Sequence, residues 1–259
     1  MERLTRQETK NGISRTAVRM WGLFFTAVGI VGKAIIQNRI LGMGRVSNLE
    51  LFEAMAADPG IMLMATIALV VQAMQTCAVP IFSFLLVEGF QHTKDPVKYL
   101  LRVLGVAVLS ELPYNLAMSG SLWDASTRNP VFGLVLSLVM LLLYQRFSSK
   151  GFAKVLMKLL LTVATMVWCI MLKIPEGTGC VLLVAVLWAA REQKNYRTFI
   201  GCGAAACCTL FSPFYLASPM GFLVVHGYRG ERGEENRLVN YLAYPALLLA
   251  AGLAGEILM

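Results

Sequence analysis

The sequence predicts an all-α fold: a polytopic transmembrane helical bundle of about eight spans, or nine if one proline-rich stretch divides. Three observations predict it. Hydrophobic residues make up 57% of the 259-residue chain, and the mean hydropathy is +0.65. Charged residues supply only 15%, against about 25% in soluble domains. Apolar runs of 17 residues or more recur along the chain, and a helix needs about 20 such residues to cross hydrocarbon. Residues 1–19 read as a polar tail and residues 20–259 as a single transmembrane domain, with no internal repeat.

The net charge of +8 would suggest nucleic acid in a soluble chain. No nucleic-acid-binding motif accompanies it here, and the cations follow the loops instead. With the N-terminus cytoplasmic, the inner loops hold Arg3, Arg6, Lys10, Arg15, Arg19, Lys94, Lys98, Arg102, Arg146, Lys150, Lys154, Lys158, Arg191, Lys194 and Arg197. The outer loops hold only Arg39, Arg45, Arg128 and Lys173. The loop GYRGERGEENR balances three Arg with three Glu, so charge leaves the side of the last part open. The first apolar run is too long for a signal-peptide core and lacks an A-x-A site, so it reads as a first span.

That span covers roughly 20–41 and is interrupted by Lys33, which either snorkels to an interface or neutralises a buried acid. Residues 42–59 form an acidic-leaning loop or surface helix. Span two, roughly 60–90, is too long for a straight crossing, and Pro80 is its expected kink, since proline deletes a backbone donor and crowds the preceding turn. Span three covers about 97–118, span four 131–147, span five 155–173 and the short span six 179–190. The stretch 198–228 contains Pro213 and Pro219 and is either one broken helix or two short segments. The last span, about 238–258, is entered by Asn240, Tyr241, Tyr244 and Pro245. The six cysteines form no CxxC pair and fall mostly in apolar runs, so they read as small buried hydrophobes. Two histidines are too few for a His-rich metal site, and no metal is expected.

The richest stretch is 78–115. Glu88 and His92 are four apart and share a face if the helix continues through Gly89. The carboxylate then either orients the imidazole as a general base or caps the helix end. Glu111 and Asn115 bracket Pro113. Either Asn115 bonds the carbonyl that Pro113 frees, or the two form a polar notch for substrate. Arg102 cannot pair with Glu111 along the helix, being nine residues away. It either meets Glu88 from the neighbouring helix or binds a phosphate from the cytoplasm. His226, before Tyr228, Arg229 and Gly230, is either an interfacial histidine or a second base beside a turn where backbone approaches an anion. The four tryptophans serve as interface anchors and packing. No nucleophile elbow, Walker A loop, GxGxxG or HExxH occurs.

The run PIFSFLLVEGFQHT, then YLLR and SELPYNL, resembles the TraX family of integral membrane proteins. Asn129, GYRGERG and NYLAYP continue the resemblance over most of the chain. It implies a bacterial multi-pass membrane acyltransferase with acetyl-CoA as donor and an amine acceptor: a peptide N-terminus, such as that of a pilin-like subunit, or an amino sugar. On matching positions it implies His92, Glu88 and His226 for catalysis, Arg102, Tyr228, Arg229 and Gly230 for the donor, and Glu111, Asn115 and Asn129 for the acceptor. The chain departs from the family pattern in three places. GIVGKAIIQN lacks the Asp-His pair of the first span, YPALLL lacks the histidine after Tyr-Pro, and Arg229 stands for the Asn of Y-N-G. The alternative reading is a non-catalytic transporter or assembly factor whose buried charges pair for packing or line a path.

Overall fold

Helix α1 (Arg15–Ile30) starts where the Ser14 hydroxyl accepts the Ala17 amide at 3.2 Å, one turn before the apolar run begins. In this computed structural model, which describes residues 12–42, 47–147, 151–228, 230–231 and 237–257, α1 therefore contains Arg15 and Arg19 rather than starting at residue 20. It continues as a π-helical segment, Val31–Ile40. The acidic-leaning loop holds α2 (Asn48–Ala57), fixed by a reciprocal cap between Ser47 and Glu50.

The long second run divides into α3 (Pro59–Gln75) and α4 (Ala78–His92). The break falls at Thr76 and Cys77, one turn before Pro80, where the proline ring would crowd the carbonyl of residue 76. The Phe214 carbonyl accepts from the Thr76 hydroxyl at 3.1 Å, so the break is also a tertiary contact. Helix α5 (Pro96–Ser119) has Asp95 as cap, Pro96 in its first turn and Gly120 at φ +72° beyond its end. Proline fits where no amide partner is needed, and glycine takes the left-handed stop without a Cβ clash. Pro113 lies inside α5 without ending it.

Helices α6 (Val131–Arg146), α7 (Phe152–Met171) and α8 (Gly177–Ala189) follow. The stretch 198–228 divides, as its prolines suggest. After α9 (Lys194–Cys207) come 3₁₀ turns at Cys208–Leu210 and Pro213–Met220, then the short α10 (Gly221–His226). Helix α11 (Arg237–Ile257) closes the chain.

Helix α8 is apolar all round and sits in the middle of the bundle, with Val181, Leu183, Val184 and Leu187 fully enclosed. The buried stretch of α4 from Ile81 to Phe90 packs into the same core. By contrast α7 leaves Leu159, Leu160, Val163 and Ile170 exposed, as a lipid-facing helix does. Four helical segments among the described residues are long and apolar enough to cross a membrane: Arg15–Ile40, Pro59–His92, Pro96–Ser119 and Phe152–Met171. Shorter apolar helices lie at Val131–Arg146, Gly177–Ala189 and Tyr241–Ile257. Cys77, Cys169, Cys180 and Cys208 are buried as expected, whereas Cys202 is only half-buried and Cys207 is exposed.

Two ends of the bundle are defined by contacts between distant segments. At one, the near end, the Ile13 amide donates to the Gly227 carbonyl at 2.8 Å and the Arg15 amide to the Glu231 carbonyl at 2.9 Å. At the other, the far end, Arg39 pairs with Glu256 at 3.2 Å, and the Asn38 side-chain amide donates to the Met118 carbonyl at 2.6 Å.

Candidate functional site

Helix α4 does continue through Gly89, so Glu88 and His92 share a face at the near end. His92 Nδ1 lies 2.8 Å from the Glu88 backbone carbonyl and 3.7 Å from Glu88 Oε1. A carbonyl can only accept, so Nδ1 carries the proton in this bond, which in the neutral ring leaves the lone pair on Nε2. The His92 side chain is 60% exposed, so water-borne groups can reach it. The Glu88 side chain is only 11% exposed.

The Glu88 carboxylate meets Arg197 rather than Arg102: Arg197 Nη1 donates to Oε2 at 3.2 Å from the first turn of α9. The same guanidinium lies 4.6 Å over the Phe84 ring, and Phe84 meets Tyr228 edge to face at 5.4 Å. Arg197 is thus held by charge on one side and by an aromatic face on another. The expected Glu88–Arg102 contact does not form, and the Arg102 side chain is exposed on α5.

Gly89 makes room for the rest of the cluster. A Cβ at this position would lie 2.7 Å from Tyr99 Oη and 3.1 Å from Arg15 Nη2. Tyr99 and Arg15 therefore press against α4 beside Glu88, and among the described residues no hydrogen-bond partner meets the buried Arg15 Nε. An unpaired buried donor of a cation favours an anion there. Tyr228 pairs with Ile13, and Gly230 adopts φ +87°, the left-handed conformation that glycine tolerates. His226 ends α10 with its side chain exposed. Arg229 lies outside the described residues.

The acceptor candidates gather at the far end. Glu111 Oε1 takes Arg128 Nη1 at 3.2 Å, and Oε2 takes the Asn129 amide at 3.1 Å. Asn129 is fully buried; its side chain donates to the Ala107 carbonyl at 3.3 Å and accepts from the Tyr244 hydroxyl at 3.0 Å. Glu111 and Asn129 are thus brought together by α5, α6 and α11. Asn115 stands apart, donating to the Leu122 carbonyl at 3.4 Å rather than to the carbonyl freed by Pro113.

Sequence reasoning missed several partners. Arg197 was legible only as one more cation bordering an apolar run. Arg15 was legible as a tail charge, Tyr244 as a residue at the entry of the last span, and Tyr99 only as part of YLLR. A Ser-x-x-Ala start before the first apolar run would have placed Arg15 on the helix.

These features define a helical membrane-type bundle with a carboxylate–imidazole–guanidinium cluster at one end and a hydrogen-bonded polar knot at the other. The TraX protein family matches residues 49–254, and the chain belongs to that family. No curated protein matches the chain, and no solved structure does.

Proposed function

We propose that the protein is a membrane acyltransferase that moves an acetyl group from acetyl-CoA to an amine, with the near end facing the cytoplasm. The observation that carries this reading is the 2.8 Å contact of His92 Nδ1 with the Glu88 carbonyl. The Nδ1–H of the neutral ring is tied to that carbonyl, and Nε2 is left basic and accessible at 60% side-chain exposure. His92 Nε2 takes a proton from the acceptor amine as the nitrogen attacks the thioester carbonyl. The same proton then goes to the departing sulfur, so the imidazole ends as it began. Glu88, held by Arg197, is a positioning residue that keeps the ring's carbonyl partner and its nearby negative charge in place.

The donor's phosphates need cations. Arg15 offers a buried Nε that no described residue hydrogen-bonds, beside Tyr99, and Arg102 offers an exposed guanidinium one helix away. His226 remains a second basic group at the same end, and the Tyr228–Gly230 turn offers backbone amides. The family membership supports a role of this class, and the amine acceptor is our reading.

The test is acetyl transfer by protein reconstituted in nanodiscs with radiolabelled acetyl-CoA and a panel of small amines. His92→Ala should abolish transfer while the protein keeps its thermal midpoint. Transfer at the wild-type rate in His92→Ala, or no acetyl-CoA turnover by the wild type with any amine, would reject the assignment.

A further inference from the structure

The near end carries a second group of cations that the mechanism above does not use. Helix α7 presents Lys154 and Lys158, one turn apart on one face. Arg191 follows α8, and Arg146 ends α6 with its side chain exposed. Packing brings these groups to one level. A Cβ at Gly177, the first residue of α8, would lie 3.0 Å from Cys169 Sγ on α7. The chain turns back within residues 172–176, so equal steps along the two helices from that contact reach equal depth. Eleven residues back along α7 stands Lys158, and eleven forward along α8 stands Trp188. Helix α6 joins them at the same depth, where the Tyr144 hydroxyl donates to the Lys158 carbonyl at 3.2 Å. The three helices pack against one another, which sets their axes about 8 to 10 Å apart.

Aromatic faces hold two of the cations in place. Lys158 Nζ lies 5.5 Å from the centre of the Tyr144 ring. The Arg191 guanidinium lies 4.5 Å over the Trp188 ring, and its Nη1 donates to the Trp188 carbonyl at 2.9 Å. Lys158 also feels the charges of Lys154 and Arg191. Gly151 stands at the N-cap of α7 and brings no carboxylate to the positive end of that helix. The acid that meets the group is Glu192, which takes Arg191 Nη2 at 2.9 Å with its own side chain 81% exposed. Such an exposed pair is weak and yields to a stronger anion. Trp188 meets Phe90 edge to face at 5.4 Å, so the patch adjoins α4 at the end that bears His92.

An apolar track starts beside the two lysines. Val155, Leu159, Val163 and Val167 recur every four residues along α7, all exposed, and Ile170 ends the series. The track is about 22 Å long, more than half of the roughly 30 Å of a hydrocarbon core. A free phosphate would use the cations and leave the track bare. A phospholipid uses both. We infer that Lys154, Lys158 and Arg191 bind the phosphate of an anionic phospholipid whose acyl chain lies along the exposed apolar track of α7. The ammonium and guanidinium groups donate to the phosphate oxygens, and the excess positive charge selects a headgroup without a cation of its own. The site stands apart from the acyltransferase reading and needs no acetyl-CoA.

The experiment is native mass spectrometry of the full-length protein in detergent, with equal amounts of dioleoylphosphatidylglycerol and dioleoylphosphatidylcholine, which share their acyl chains. The phosphatidylglycerol adduct should exceed the phosphatidylcholine adduct by about tenfold. Lys154→Gln/Lys158→Gln should remove most of that preference, and Lys154→Arg/Lys158→Arg, which keeps the charges, should retain it. Lys94→Gln/Lys98→Gln takes the same charge from the same end but outside the patch, and should leave the preference unchanged. Each variant is first checked for a wild-type elution volume and helical circular dichroism, and Arg191→Gln, which should also lower the preference, carries the test if the lysine pair fails to fold. Equal adducts of the two lipids, or an equal loss in Lys94→Gln/Lys98→Gln, overturns the site. The adduct should persist in excess coenzyme A and in excess inorganic phosphate. Its displacement by either would assign the patch to a soluble phosphate and overturn the lipid.

Discussion

Arg197 reaches Glu88 from the first turn of α9, with Nη1 3.2 Å from Oε2, and the two side chains are 15% and 11% exposed. Removing one partner of such a buried pair leaves the other charge uncompensated. Arg197→Met should therefore destabilise the protein by about 3 to 5 kcal/mol, and the double variant Glu88→Leu/Arg197→Met should recover much of that loss. Unfolding in detergent, followed by circular dichroism, measures both. A double variant no more stable than Arg197→Met would mean that the carboxylate is not the residue Arg197 serves.

Gly89 is the point where α4 admits Tyr99 and Arg15. Gly89→Ala puts a Cβ 2.7 Å from Tyr99 Oη and should cost about 1 to 3 kcal/mol by overpacking. Adding Tyr99→Phe removes the clashing oxygen, so Gly89→Ala/Tyr99→Phe should be more stable than Gly89→Ala alone. The same thermal assay decides it, and equal midpoints would place the strain elsewhere.

At the far end, the Tyr244 hydroxyl donates to the fully buried Asn129 side chain. Tyr244→Phe removes one neutral hydrogen bond and should cost about 1 kcal/mol. Paired with Asn129→Ala in a double-mutant cycle, it should be clearly non-additive. Additive losses would show that the two residues act independently.

Asp95 caps α5, and its carboxyl is held below the usual aspartate range, first by the Lys98 backbone amide and then by the Lys98 side chain. A depressed carboxyl stabilises the fold above its unfolded value of 3.8 and loses that effect as pH falls through its lower folded value. Asp95→Ala should thus lower the thermal midpoint by a constant amount at neutral and mildly acidic pH. The gap to wild type should close only below the ordinary aspartate range. A gap that closes between pH 7 and 5 would point to a different titrating group.

The sequence carried the all-α class and most helix positions because both rest on local chemistry: apolar run length, Asp95–Pro96 at a start and Gly120 at a stop. It carried the Glu88–His92 face for the same reason, since helical spacing is local. The partner of Glu88 was a different matter. Arg102 and Arg197 both border apolar runs, and only packing decides which one arrives; α9 lies against α8 beside α4, while Arg102 faces outward on α5. The break at Thr76 and Cys77 was displaced from Pro80 because the residue that yields is the one whose carbonyl the ring crowds.

The Glu88–Arg197 contact also sets an order of events during synthesis. The two residues are 109 positions apart, so at about 5 to 20 residues per second the ribosome makes Arg197 roughly 5 to 20 s after Glu88. During that interval α4 carries an acid with no guanidinium to meet it, although α5, α6, α7 and α8 are already being delivered around it. Helix α4 therefore cannot reach its final charge balance until α9 arrives. A chain that stops before residue 197 presents the cell with a protein that is nearly all helix yet electrically unfinished at its near end.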